Sequence, residues 1–275
     1  MDIKSSILKA SPGNGQAAIF YLGQETILIK QQDLYLLFDP YLSGYVDQYF
    51  STETVVWKRN YPEPIAPAEL DFIDYVFCTH AHGDHADPLT LSAIAQASPA
   101  AVFIGSAPVL EVYAACGIDA RRIMPAKADQ MIQLDKGLMV MPIPAAHEEL
   151  HPTADGSYEE LSFITEIAGI RIYHAGDCCL YDGLIERLNG VDVACLPING
   201  RDYFRRKNDI IGNFDAPEAI RLAHAAGISL LIPMHFDLYS VNCVNPAYFV
   251  DCQQKIAPAQ RYHIFTVGEK YLFEK

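Results

Sequence analysis

The sequence is short of positive charge: 20 lysines and arginines stand against 34 aspartates and glutamates, a formal net charge of −14. A chain of that sign repels a phosphate backbone, so nucleic acid is not an expected partner. Long apolar runs are missing too. Nothing approaches the ~20 residues needed to cross a bilayer, and the opening MDIKSSILKASPGNG lacks the apolar centre of a secretion signal. No membrane partner is expected, and the expected location is the cytoplasm. The seven cysteines form an odd set without a CxxC pair, which argues against a disulfide framework or a thiolate metal site and for reduced thiols in the core. Internal repeats of solenoid period are absent as well.

What is present is a globular balance. With 275 residues, 51% hydrophobic and 20% charged, the chain can bury a sizeable core, and one domain spanning 1–275 is expected. Short β-branched and aromatic runs open it: AAIFYL (17–22), TILIK (26–30) and LYLLF (34–38), separated by turn residues as in an antiparallel meander. Asp39-Pro40 ends the third. Residues 41–70 break the pattern with Tyr41, Tyr45, Tyr49, Phe50, Trp57 and scattered Pro and Gly, and read as a long loop. A loop of that length is either a cover over a site or an aromatic surface for subunit contact, which leaves homo-oligomer formation open.

Strands then alternate with helices. DYVFC (74–78) runs into THAHGDHAD, and Asp87-Pro88 has the residue types of an N-cap and first helical position. AVFIG and the helix APVLEVYAACG follow. The runs MIQL and LMVMPI lead to His147, LSFITEI and RIYH lead to Gly176-Asp177, and VDVACLP precedes a helix and SLLIPMH, which ends at His235. A helix near 246–256 and two strands, YHIFTV and KYLFE, finish the chain.

The histidine cluster carries the chemistry. In an extended segment side chains alternate, so His80, His82 and Asp84 can share one side, and a turn at Gly83 can swing His85 to join them. Imidazole mixed with carboxylate suits Zn²⁺, Fe²⁺ or Mn²⁺, where an all-oxygen set would suit Mg²⁺ or Ca²⁺.

The segment His80-Ala81-His82-Gly83-Asp84-His85 resembles the H-x-H-x-D-H signature of the metallo-β-lactamase superfamily, and His147, Asp177 and His235 follow in the order that family requires. The resemblance implies an α/β fold, a four-layer αβ/βα sandwich with the metals at one edge. It also implies two divalent metal ions, Mn or Zn. His80, His82 and His147 would hold the first, Asp84, His85 and His235 the second, and Asp177 would bridge them, generating a hydroxide for hydrolysis. Asp84 and Asp177 are the candidate catalytic acids, with Asp84 also a candidate proton acceptor. Asp39 matches the family's early aspartate and would orient a ligand loop. His174 is a candidate supporting histidine. His151 offers an alternative to His147, but the position directly after a strand favours His147. His224 and His263 read as structural, and Cys178 as a neighbour of the metals rather than a ligand.

The stretches GDCCLYDGL, VDVACLPINGRDYF and LLIPMHFDLYSVN resemble the branch containing the L-ascorbate-6-phosphate lactonases, which implies a small anionic substrate, a sugar-phosphate lactone. Arg201, Arg205, Arg206 and Lys207 concentrate positive charge in RDYFRRK, as an anion site or as an exposed basic loop. Tyr203 and Tyr239 are candidate donors to a developing oxyanion. A phosphodiesterase using the same two metals is the alternative, and a non-catalytic binding protein a third reading.

Overall fold

The structure, a computed structural model, describes residues 2–275. Its strands are β1 (Gln16–Gly23), β2 (Thr26–Gln31), β3 (Leu34–Phe38), β4 (Tyr75–Cys78), β5 (Val102–Gly105), β6 (Ile123–Pro125), β7 (Ile132–Gln133), β8 (Met139–Pro144), β9 (Leu161–Ile167), β10 (Ile170–His174), β11 (Val193–Pro197), β12 (Leu230–Met234) and β13 (Lys270–Glu274). Its helices are α1 (Ile3–Lys9), α2 (Tyr45–Tyr49), α3 (Pro88–Ala97), α4 (Ala107–Ala115), α5 (Leu184–Arg187), α6 (Tyr203–Lys207), α7 (Ala216–Ala225) and α8 (Pro246–Ile256). One sheet has the order β13-β1-β2-β3-β4-β5-β6 and the other β12-β11-β10-β9-β8-β7.

Alternate residues of β1 feed different cores. Ala17, Ile19 and Tyr21 join the interior shared with the second sheet, while Ala18, Phe20 and Leu22 pack with Ile7 of α1, Leu91 and Ile94 of α3, and Val109 and Tyr113 of α4. On the far side α7 packs on β11 and β12 and is backed by α8. The result is the expected four layers, helices outside two sheets. Because β1 and β2 are apolar on both faces, a one-residue slip would expose no polar row. Register there is set instead by the tight turns at Gly23–Thr26 and Gln31–Leu34.

Direction places the site. β3, β4, β5 and β6 run parallel, as do β10, β11 and β12. β8 and β10 are both antiparallel to β9 and so share a direction. The segments after β3, β4, β8, β10 and β12 therefore leave strand C-termini, where open α/β sheets hold their ligands. Leu161 N–H donates to Thr79 O at 2.9 Å and ties the sheets together at this edge.

Two sequence expectations need correcting. The run 262–267 forms no strand. It touches β12 only through the Tyr262–Leu231 bridge and the His263 N–H to Leu231 O bond of 2.9 Å, and the chain then turns at Thr266–Glu269 into β13. The 41–70 segment is not all loop: it carries α2 and a short 3-10 turn at Pro67–Glu69.

Candidate metal centre

β4 ends in the Thr79–Asp87 loop, which is held at both ends. Asp39, fully buried just past β3, accepts from Thr79 N–H at 2.8 Å, Thr79 Oγ1 at 2.7 Å and His85 Nδ1 at 2.9 Å. Asp87 caps α3 by accepting from Leu89 N–H at 3.0 Å, as its residue type predicted. Between these anchors His85 N–H and Ala86 N–H both donate to His82 O, and this turn gathers His80, His82, Asp84 and His85.

The other three candidates arrive from β8, β10 and β12. His147 Nε2 lies 3.2 Å from His82 Nδ1, which lies 3.0 Å from His80 Nε2. Asp177 is central: its Oδ2 is 3.6 Å from His147 Nε2, 3.5 Å from His85 Nε2 and 4.0 Å from His80 Nε2, and its Oδ1 is 3.4 Å from His235 Nε2. Asp84 Oδ2 is 3.7 Å from both His85 Nε2 and His235 Nε2. All seven side chains named from the sequence therefore meet.

These separations fit a cation. Two donors ~2.0–2.1 Å from one ion at the tetrahedral angle stand roughly 3.3–3.4 Å apart. His85 donates from Nδ1 to Asp39, which leaves its buried Nε2, the atom a metal would take in exchange for a proton, facing Asp84 and Asp177 with no hydrogen-bond partner among the described residues. His80 Nδ1 faces Thr79 Oγ1 at 3.0 Å, and since that hydroxyl already donates to Asp39, His80 donates to it and keeps Nε2 free. Outer hydrogen bonds that fix the tautomer in this way are the usual support of metal-bound histidine. Donor atoms group as His80, His82, His147 and Asp177, and as Asp84, His85 and His235.

The electrostatics are those of a tightly packed set of opposite charges. Burial disfavours the charged form of His80 and holds its pKa well below the usual value, with His85, His82 and His147 adding to the effect. Burial likewise lowers His147 to about 4 against the pull of Asp177. Asp177 is buried, but His235, His85 and His147 outweigh that and keep it well below the usual carboxylate range. Burial also opposes a charge on His85, yet Asp177, Asp84 and Asp39 hold its pKa well above normal.

Backbone strain collects around the same cluster. Gln24, Asp39, Glu148, Asp209 and His235 all have positive φ, a conformation that costs energy in non-glycine residues and is retained where surrounding structure enforces it. At Gly176, φ is +58° and a Cβ would lie 2.5 Å from Thr79 Oγ1. Only glycine lets the Asp177 loop press this closely on the His80 loop.

Several supporting residues were invisible in the sequence. Gln24 Nε2 donates to Asp84 Oδ2 at 2.7 Å. Asn213 Nδ2 donates to Asp177 Oδ1 at 2.7 Å and to Asn199 Oδ1 at 3.1 Å, Asn199 donates to Asn242 Oδ1 at 3.2 Å, and Arg205 Nε donates to that same oxygen at 2.7 Å. Glu25, completely buried, has no hydrogen-bond partner for either carboxylate oxygen among the described residues. An acid between the apolar runs YLG and TILI was the one signal available.

The sequence-named substrate contacts fall elsewhere. Arg205 is buried, paired with Asp202 and closing the asparagine chain. Arg201 donates to Glu218 at 2.5 Å, Asn213 O at 2.7 Å and Cys179 Sγ at 2.9 Å. Arg206 is exposed and borders a separate surface pocket with Glu148, Glu149, Arg201 and Asp202. Lys207 and Tyr203 are exposed on α6. Tyr239 is buried, its hydroxyl held by Tyr41 and by Asp47 at 2.6 Å. His174 supports the site from below, donating from Nε2 to Glu25 O at 2.9 Å. His151 is exposed and pairs with Glu160 at 3.0 Å, apart from the cluster. Burial pushes the Cys178 thiol up to about 12, and Cys178 is not among the grouped donors.

Above the donors lies a cleft of about 260 Å³ lined by Val46, Phe50, Trp57, Ile210 and Ile211, with Asp209 and Asn242. Neither lysine nor arginine lines it among the described residues. Of the two readings of the 41–70 segment, the geometry matches a cover: α2 and the segment after it bring Val46, Phe50 and Trp57 to the cleft wall.

A family model described as a beta-lactamase superfamily domain matches residues 35–236. A UPF0173 metal-dependent hydrolase from Opitutus terrae is 32% identical over 248 residues, 88% of this chain and 91% of that one. Among solved structures, a metallo hydrolase from the archaeon Ignicoccus hospitalis aligns with a TM-score of 0.67 at 20% identity, covering 94% of this chain and 99% of the other. The isothiocyanate hydrolase from Delia radicum gut bacteria aligns with a TM-score of 0.73 at 16% identity, covering 94% and 100%. Both likenesses are of fold.

Proposed function

The chain belongs to the metallo-β-lactamase superfamily and, within it, to the UPF0173 metal-dependent hydrolases, and from that premise we propose that it hydrolyses a lactone or ester of a small, uncharged compound with an apolar edge. The observation that carries this reading is the cleft itself: five of the seven potential metal donors, His82, Asp84, His147, Asp177 and His235, form its floor with His80 and His85 buried beneath, and apolar side chains form its walls. His80, His82, His147 and Asp177 would hold one divalent ion, and Asp84, His85 and His235, with Asp177 shared, a second. Ions bound there supply Lewis acidity and make water nucleophilic near neutral pH.

The chain's own residues do the rest. Asp84, the more open of the two acids with its side chain 22% exposed, would accept the proton released when the carbonyl is attacked, while Gln24 holds its orientation. Asn213 fixes Asp177. Asn242 accepts from Asn199 and Arg205 through Oδ1, so its Nδ2 is the donor left for a substrate oxygen. Val46, Phe50, Trp57, Ile210 and Ile211 would exclude water and take the apolar part of the substrate.

This reading drops the phosphate expected from the sequence. A phosphorylated lactone or a phosphodiester would find, among the described residues, no lysine or arginine on the cleft wall, and Asp209 there adds negative charge. The test is a panel of neutral lactones, neutral aryl esters, a phosphorylated sugar lactone and a chromogenic phosphodiester, run after reconstitution with Mn²⁺ and with Zn²⁺. Neutral lactones or esters are expected to show the highest kcat/KM, and Phe50→Ala is expected to raise KM for them. A preference for either phosphorylated substrate would overturn the proposal.

A further inference from the structure

Glu25 sits at the tip of the β1–β2 hairpin, and its backbone is pinned: His174 Nε2 donates to its carbonyl at 2.9 Å, and the neighbouring Gln24 carbonyl accepts from His235 N–H at 2.8 Å. The side chain points into the cluster. Its Oε2 is 3.6 Å from His85 Nδ1, and a carboxylate oxygen lies within 4.8 Å of donor atoms of both Asp177 and His235. It is wholly buried, and neither oxygen has a hydrogen-bond partner among the described residues.

A buried carboxyl without a partner is costly to ionise, and burial with Asp177 nearby holds the Glu25 pKa well above the usual range, so in the metal-free chain it keeps its proton and only a cation beside it would make the carboxylate favourable. His85 Nδ1 is committed to Asp39 at 2.9 Å, and among the described residues no lysine or arginine pairs with Glu25. Its carboxylate groups with Asp177 and His235, so a cation held between those two side chains would lie within its reach. Resting on the reading that this cluster holds divalent ions, we propose that Glu25 is an additional carboxylate ligand of the second ion, approaching from the buried side opposite the cleft. That position would then draw on three carboxylates, Glu25, Asp84 and Asp177, and two imidazoles. Carboxylate-rich sets favour Mn²⁺ or Fe²⁺ over a position dominated by imidazole, so the two positions would differ in the metal they prefer, the His80, His82, His147 position being the more zinc-like.

The test is Mn²⁺ titration of the metal-free full chain, followed by the electron paramagnetic resonance signal of free Mn²⁺, with Zn²⁺ titration in parallel. Wild type is expected to bind two ions, and Glu25→Gln to retain one and to bind the other ~10–100-fold more weakly, with the larger loss for Mn²⁺. Glu25→Ala is expected to do the same. The amide keeps the shape of the buried side chain, so metal-free Glu25→Gln should melt at or above the wild-type temperature, while Glu25→Ala also leaves a cavity and should melt lower. Unchanged Mn²⁺ affinity in both variants would overturn the role of Glu25 while leaving the metal centre standing. A lower melting temperature of metal-free Glu25→Gln, with both metals lost together, would also overturn it by making the residue structural. A wild type that binds no divalent ion would sink the metal centre and this proposal together.

Discussion

Replacing Asp39 with asparagine changes one atom and should disable a histidine it does not alter. Asp39 accepts three bonds, from Thr79 N–H at 2.8 Å, Thr79 Oγ1 at 2.7 Å and His85 Nδ1 at 2.9 Å, the last two through the same oxygen. Asparagine keeps one acceptor, for the Thr79 amide, and presents an NH₂ group to the other two donors. The threonine hydroxyl can rotate to accept. The neutral His85 that a metal requires could accept from the NH₂ group only by keeping its one proton on Nε2, the atom that faces Asp84 and Asp177, and that protonated nitrogen cannot ligate. Asparagine tolerates the φ of 41° at this position as aspartate does, so the backbone is not the cause of any loss. Losing one hydrogen bond to a buried charge costs about 1.5–3 kcal/mol in the metal-free protein. Metal affinity should fall ~10–100-fold, which is roughly 1.4–2.7 kcal/mol. Chelator competition measures the second quantity and urea unfolding the first. An Asp39→Asn protein that holds metal within about twofold of wild type would refute the tautomer argument.

Three further outcomes are expected. Gly176→Ala places a Cβ 2.5 Å from Thr79 Oγ1 at a φ of +58°, and should cost at least about 2 kcal/mol and deplete metal after dialysis; full occupancy with unchanged stability would contradict the close approach of the two loops. Burial lowers His147 to about 4, so between its unfolded value and pH 4 the unfolded chain takes up the proton first. Metal-free wild type should therefore lose about 3 kcal/mol relative to His147→Leu as pH falls through that window, and a difference in urea-unfolding stability that is independent of pH would be inconsistent with a neutral buried imidazole. Arg205→Ala should destabilise the fold and loosen Asp177, because it ends the asparagine chain, while Arg206→Ala should leave stability within about 0.5 kcal/mol and turnover unchanged. Selective loss of phosphorylated-substrate turnover in Arg206→Ala would restore the anion-site reading.

The donors were legible because four of them fall within six residues and the other three end strands. Strand direction does the rest, since β4, β8, β10 and β12 end at one edge. The support was not legible. Gln24, Glu25, Asn199, Asn213 and Asn242 are ordinary polar residues in sequence, and only the tertiary fold bonds Gln24 to Asp84 and Asn213 to Asp177, links Asn199 and Asn242 behind Asn213, and buries Glu25 beside them. Arg205 misled for the same reason: its neighbours Arg206 and Lys207 are exposed, and nothing local says that it alone is buried. The run 262–267 has strand composition, yet it meets β12 at one bridge, because pairing depends on where the neighbouring edge lies rather than on propensity.

The most direct measurement is anomalous scattering from crystals grown with Mn²⁺, collected near the manganese edge. Two peaks are expected on either side of Asp177, one touching His80, His82 and His147 and the other touching Asp84, His85, His235 and Glu25. Absence of any peak between these side chains, with manganese freely available in the crystal, would contradict the account.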